Sequence, residues 1–120
     1  MLRIGILGAG HLGKTHLRIV AACKFFELVG FYDPNKKNVD QLLEEQKYIA
    51  FDSPKKLIEA VDVVSIITPT ITHFEMAKLA LDAKKHVFIE KPIAITNQES
   101  NILIDLASRN GLLGQVGHVE

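Results

Sequence analysis

Apolar runs alternate with amphipathic stretches along the whole chain. Residues 2–7 form a short run with strand character, and residues 11–24 read as a helix. A second apolar run covers 26–32, and Pro34-Asn35 opens a helix reaching about Gln46. Residues 48–51 give a short third strand. Ser53-Pro54 has the form of an N-cap with proline in the first helical position, starting a short helix to Ala60. Residues 61–68 (VDVVSIIT) are rich in β-branched side chains and almost continuously apolar, as in a strand covered on both faces. A helix over 72–84 follows, with Met76, Leu79, Ala80 and Ala83 on one face. A fifth strand spans 86–89. Thr96-Asn97 then caps a helix to Asn110, which Gly111 ends, and residues 112–116 make a sixth strand. Strict alternation of strand and helix predicts a parallel sheet with right-handed crossovers. The expected architecture is α/β and doubly wound, with strand order 3-2-1-4-5-6.

Ligands of such sheets sit outside the carboxyl ends of the strands. Four unusual segments fall at those ends: the glycine turn 8–13, Thr68-Pro69-Thr70, Glu90-Lys91-Pro92 and Gly117-His118. Random placement would scatter them over both edges. In the turn Gly8-Ala9-Gly10-His11-Leu12-Gly13, a strand runs through glycines into a helix and presents bare N–H groups to a phosphate. Gly8 permits the tight turn, Gly10 leaves room for a pyrophosphate, and Gly13 lets the helix lie close on the strand. His11 and Leu12 contribute through their backbone. Asp33 ends the second apolar run about 20 residues beyond Gly13, the position of a ribose ligand in the dinucleotide-binding (Rossmann) pattern. A 2′-phosphate would set two negative charges beside that carboxylate, so NAD is expected over NADP. Lys36 and Lys37 are close enough in sequence to soften the preference.

Composition narrows the classes. A chain of 120 residues suits one domain. Fourteen basic and fourteen acidic residues cancel, so no long-range field would recruit nucleic acid or an anionic membrane. No apolar run is long enough to span a bilayer. Cys23 is the single cysteine, which excludes an intrachain disulfide and fits a reducing cytoplasm.

The other candidates each carry two readings. Thr68, Pro69 and Thr70 either line a nicotinamide ribose or simply stop the strand, with Thr70 or Thr72 capping the next helix. Lys91 either hydrogen-bonds the oxygen of a carbinol or ketone and stabilises an alkoxide, or forms a surface ion pair with Glu90. His73 either contacts the cofactor or packs against the loop. His16 reads as a packed histidine, and His86 as the residue that opens its strand. No histidine pair has supported metal-ligand spacing, and no serine or cysteine carries a nucleophile motif, so no metal is expected. Two further functions share the glycine loop: a non-catalytic nucleotide sensor, and a methyltransferase binding S-adenosylmethionine. The methyltransferase reading gives Glu90-Lys91-Pro92 no role.

GAGHLGKTH at 8–16, TPTITHFEMAKLAL at 68–81 and KKHVFIEKPIA at 84–94 together resemble glucose-fructose oxidoreductase, inositol 2-dehydrogenase and their relatives, the Gfo/Idh/MocA family. The EKP triplet is the most specific piece. The resemblance covers the whole chain but only the family's N-terminal domain. It implies an NAD(P)-dependent dehydrogenase acting on a sugar, cyclitol or related polyol, with Lys91 as the active-site lysine, beside Glu90. It also implies that the glycine loop and His73 match family positions, while Thr70 stands where asparagine is frequent. Beyond Gly117-His118-Val119-Glu120 it implies a second, mainly antiparallel domain. That domain would carry the substrate pocket, a catalytic histidine with an acidic partner, and a homo-oligomer interface. The 120 residues alone are then expected to bind cofactor weakly and turn over little.

Overall fold

The structure is a computed structural model and describes residues 2–45, 48–90, 96–111 and 114–117. Among these, five parallel strands form one sheet: β1 (Leu2–Leu7), β2 (Phe26–Tyr32), β3 (Val63–Ile66), β4 (His86–Glu90) and β5 (Gly114–Gly117). Their order is β2-β1-β3-β4-β5. The helices between them are α1 (His11–Ala22), α2 (Lys36–Glu45), α3 (Pro54–Glu59), α4 (His73–Asp82) and α5 (Asn97–Arg109). A single 3-10 turn, Thr70–Thr72, leads into α4.

The alternation of side chains along β1 divides the core in two. Ile6 points to one face, where it packs with Phe31, Leu17 of α1 and Leu42 of α2. Leu7 points to the other, with Val64, Ile66 and the apolar sides of α3, α4 and α5. Helices therefore cover both faces, as the doubly wound arrangement requires. His16 of α1 lies against Phe88 of β4, with ring centroids 6.3 Å apart.

Local signals set most boundaries. Ser53 Oγ accepts the Lys56 N–H at 3.2 Å with Pro54 opening α3, and Thr96 Oγ1 accepts the Glu99 N–H at 3.1 Å at the start of α5. Gly111, with φ of +64°, follows the end of α5.

One expected strand is missing. Residues 48–51 make only an isolated parallel bridge, Phe31 to Ala50, on the outer edge of β2. The Phe31 N–H donates to the Ile49 carbonyl at 2.9 Å, and the Phe51 N–H donates to the Phe31 carbonyl at 2.8 Å. The ladder stops because Ser53 and Pro54 already belong to the start of α3, and proline brings no N–H to extend it. The six-strand order thus becomes five strands in the same spatial sequence, with a bridge in the outermost place. The expected run 61–68 is also cut to four strand residues, since the Val61 N–H turns back to the Ile58 carbonyl at the exit of α3.

Candidate functional site

Because all five strands are parallel, their carboxyl ends share one rim. Leu7 pairs with Tyr32 and with Ile66, and Ile66 pairs with Ile89, so the strands finish almost level. The residues that follow them are Gly8, Asp33, Ile67-Thr68 and, at the end of β4, Glu90.

Gly8 makes the turn that only glycine makes without strain. Its φ is +108°, and a Cβ there would stand 2.5 Å from the Ile67 carbonyl oxygen. Its N–H donates to the Tyr32 carbonyl at 2.8 Å, tying the turn to the end of β2. Gly10 is the N-cap of α1 and supplies no side-chain cap, so the first N–H groups of the helix have no partner of that kind. A Cβ on Gly10 would meet nothing within 4 Å. A polar-capable helix start beside open space is what an anionic group of pyrophosphate size needs.

Asp33 is bound into this turn. One carboxylate oxygen, Oδ2, accepts the Ala9 N–H at 2.6 Å, and Oδ1 accepts the Asn35 N–H at 2.7 Å. The second bond is an Asx turn that launches α2. Asn38, in the first turn of α2, donates from Nδ2 to Asp33 Oδ2 at 3.4 Å. The acid is thereby held over the glycine loop, still half-buried rather than sealed.

Across the cleft, the loop after β3 is held by a second polar cluster. The Thr72 hydroxyl is 2.7 Å from both the Thr68 hydroxyl and the Pro69 carbonyl. Carbonyls only accept, so Thr72 donates to Pro69 and receives the Thr68 proton. That leaves the Thr68 oxygen as an acceptor. His73 is 2 % exposed, and its Nε2 lies 2.8 Å from the Thr68 carbonyl. The ring must donate there, so Nε2 carries a proton.

These groups surround one cleft of about 640 Å³, a volume suited to a cofactor-sized ligand. Gly8, Gly10, Gly13, Asp33, Thr68 and Pro69 all line it. His73 is not among the lining residues and braces the loop from behind. Gly117 closes β5 on the same rim. His11 and Leu12 form the first turn of α1, and Thr70 opens the 3-10 turn. Glu90 ends β4; Lys91 and Pro92 lie outside the described residues, as does His118.

Several lining residues had no signal of their own in the sequence. Asn35 reads only as part of the opening of a helix, Pro54 as a helix start, Thr72 as a cap and Met76 as part of one helix face, while Asn38 falls inside the predicted helix with no reading of its own. Each reaches the cleft because α2, α3 and α4 all begin at the same rim. Nothing in the periodicity sets Asn38 apart, because its bond to Asp33 depends on the Asx turn that starts α2. Among the described residues no group of three His, Cys, Asp or Glu could hold a metal ion. No helix among them is long and apolar enough to cross a membrane.

The sheet, the glycine turn and the carboxyl-edge cleft define an NAD-binding α/β domain of the Rossmann type. Residues 2–118 match the family described as "Oxidoreductase family, NAD-binding Rossmann fold" (Gfo/Idh/MocA), and the chain belongs to that family. UDP-N-acetylglucosamine 3-dehydrogenase of Acidithiobacillus ferrooxidans is 38% identical over 119 residues, covering 99% of this chain and 37% of that protein. Its solved structure superposes with a TM-score of 0.90 over 97% of this chain and 38% of that one. Glucose-6-phosphate 3-dehydrogenase of Bacillus subtilis is 35% identical, covering 98% of this chain and 33% of that protein. The scyllo-inositol 2-dehydrogenase (NAD(+)) of the same organism is 32% identical, over 97% of this chain and 35% of that protein. The chain thus spans about a third of the length of these curated relatives.

Proposed function

We propose that these 120 residues are the dinucleotide-binding domain of an enzyme that moves hydride between a nicotinamide cofactor and a sugar, cyclitol or related polyol. One observation carries the reading: the open N-cap at Gly10 and the tethered carboxylate of Asp33 face a single cleft. That is the pairing a dinucleotide needs, a bare amide cradle for its pyrophosphate and an acceptor for its adenosine ribose. The relatives named as sugar and inositol dehydrogenases support the substrate class.

The residues present fit the cofactor. Gly8, Gly10, His11, Leu12 and Gly13 would hold the pyrophosphate through their backbone. Asp33 would accept a ribose hydroxyl, which favours NAD, since a 2′-phosphate brought near 4 Å would meet a repulsion of up to about 4 kcal/mol at a surface-like dielectric. NADP remains a weaker ligand. Thr68, Pro69 and Thr70 would line the second ribose, with the Thr68 oxygen accepting and His73 fixing the loop behind it. The bound nicotinamide supplies the acceptor or donor of hydride. Lys91, the residue after Glu90 in the sequence, would donate a hydrogen bond to the reacting oxygen and stabilise it as an alkoxide. A second domain would supply the polyol pocket, the group that moves the proton and the homo-oligomer interface.

Titration of the 120-residue chain with NADH, followed by nicotinamide fluorescence, tests the binding half. Saturable binding, with no comparable binding of S-adenosylmethionine, is expected. Asp33→Ala should bring the NADH and NADPH affinities together by about tenfold or more. Failure of NADH to bind would overturn the reading. In a longer protein that includes the second domain, Lys91→Ala should abolish polyol oxidation while leaving NADH binding in place.

A further inference from the structure

The hydrogen bonds of Asp33 leave it unable to read a ribose alone. An ionised carboxylate offers about four acceptor positions. The Ala9 N–H and Asn38 Nδ2 occupy both on Oδ2, and the Asn35 N–H occupies one on Oδ1. One position is left, whereas the cis-diol of a ribose presents two hydroxyl donors. Another acceptor at the same end of the cleft is required, and Asn38 lines that end.

The orientation of the Asn38 amide follows from its partner. A carboxylate accepts and does not donate, so Nδ2 and not Oδ1 must face Asp33. Oδ1 is thereby turned away from the acid with both lone pairs unspent, and one N–H remains beside it. The bond to Asp33, at 3.4 Å, is at the long end of its range and is readily exchanged for a shorter one.

Resting on the dinucleotide reading above, we infer that Asn38 is the second reader of the adenosine ribose. Its Oδ1 takes the hydroxyl that Asp33 has no room for. The side chain is neutral and adds nothing to the repulsion of a 2′-phosphate. The charge at position 38 therefore sets how strictly that phosphate is refused: a second carboxylate sharpens the refusal, and an ammonium relaxes it.

Fluorescence titration of NADH and NADPH against the 120-residue chain and its Asn38→Ala, Asn38→Asp and Asn38→Lys variants tests this. Asn38→Ala should weaken NADH by about threefold to tenfold, the effect of one lost hydrogen bond. Asn38→Asp should raise the NADPH-to-NADH ratio of dissociation constants by about tenfold, and Asn38→Lys should lower it by about tenfold. A change that merely disturbed the helix would not move the ratio in opposite directions. Ratios within about twofold of the parent in both charged variants, with circular dichroism unchanged, would overturn the inference and leave the dinucleotide reading standing. Binding of neither nucleotide by the parent chain would overturn both. Should Asn38→Asp fail to fold beside Asp33, Asn38→Lys decides the matter, since it pairs with the acid.

Discussion

A Cβ placed on Gly13 would stand 2.2 Å from the carbonyl oxygen of Gly8 and 2.7 Å from its carbonyl carbon. Both atoms are backbone in a turn fixed by the Tyr32 carbonyl, so neither can give way. The helix lies this close to the strand only because position 13 has no side chain. Gly13→Ala sets two effects against each other. Alanine in a helix gains about 1 kcal/mol over glycine, while overpacking costs about 1–3 kcal/mol and more where backbone must move. Here the clash wins. A net loss of about 2 kcal/mol in urea-unfolding free energy is expected, and an unchanged midpoint would show that the turn is softer than its geometry.

Gly10→Ala is the opposite case. Nothing lies within 4 Å of the added carbon, and φ at −72° suits any residue. The unfolding midpoint should stay within about 0.5 kcal/mol of the parent. The methyl group would nevertheless occupy the space where a pyrophosphate must approach, so NADH affinity should fall about tenfold or more. Paired thermal and binding curves for the one variant check both halves.

His73 is buried with its Nε2 donating to the Thr68 carbonyl. His73→Leu keeps the bulk and removes the donor, leaving a carbonyl short of its partner. Desolvation without a hydrogen bond costs about 1–3 kcal/mol. Urea unfolding should show that loss, and His73→Gln, which restores a donor, should recover part of it. Equal stability of the Leu and Gln variants would mean that the ring's packing, not its N–H, matters.

At the opposite rim, Asp62 accepts the Arg3 N–H at 3.0 Å and the Arg3 guanidinium at 3.4 Å. The backbone N–H first, and then the guanidinium, hold its carboxyl below the ordinary aspartate value. Its folded pKa is thus lower than its unfolded one. The stability it contributes is complete above about pH 4 and is lost as the pH falls through the folded value. Asp62→Asn should flatten the acid limb of the urea midpoint measured between about pH 2 and pH 5. Parallel curves for variant and parent would remove Asp62 from the acid response.

Much of this is legible in the amino-acid sequence. The glycine turn, the position of Asp33 and the sheet order follow from spacing that physics makes specific: a backbone that must turn left-handed, and strands that must be apolar on two faces. The third strand shrinks to a bridge because the helix start at Ser53-Pro54 overrides the β-propensity of 48–51, and propensity alone does not say which of the two neighbours wins. Asn38 stayed hidden for a different reason. Its role depends on a hydrogen bond across five residues, through an Asx turn whose geometry no periodicity encodes. His73 carried two readings, and burial is what separates bracing a loop from lining a cleft.

Among the described residues, two backbone hydrogen bonds, both at Phe31, fasten the sheet's outer margin. Asp33 lies two positions further along the same strand end. Asp33 itself is moored elsewhere, to the Ala9 N–H of the glycine turn and to Asn35 and Asn38 at the start of α2, so local opening of that margin leaves the acid in place. A nucleotide seated against that acid would stabilise the glycine turn and the start of α2 together, by mass action.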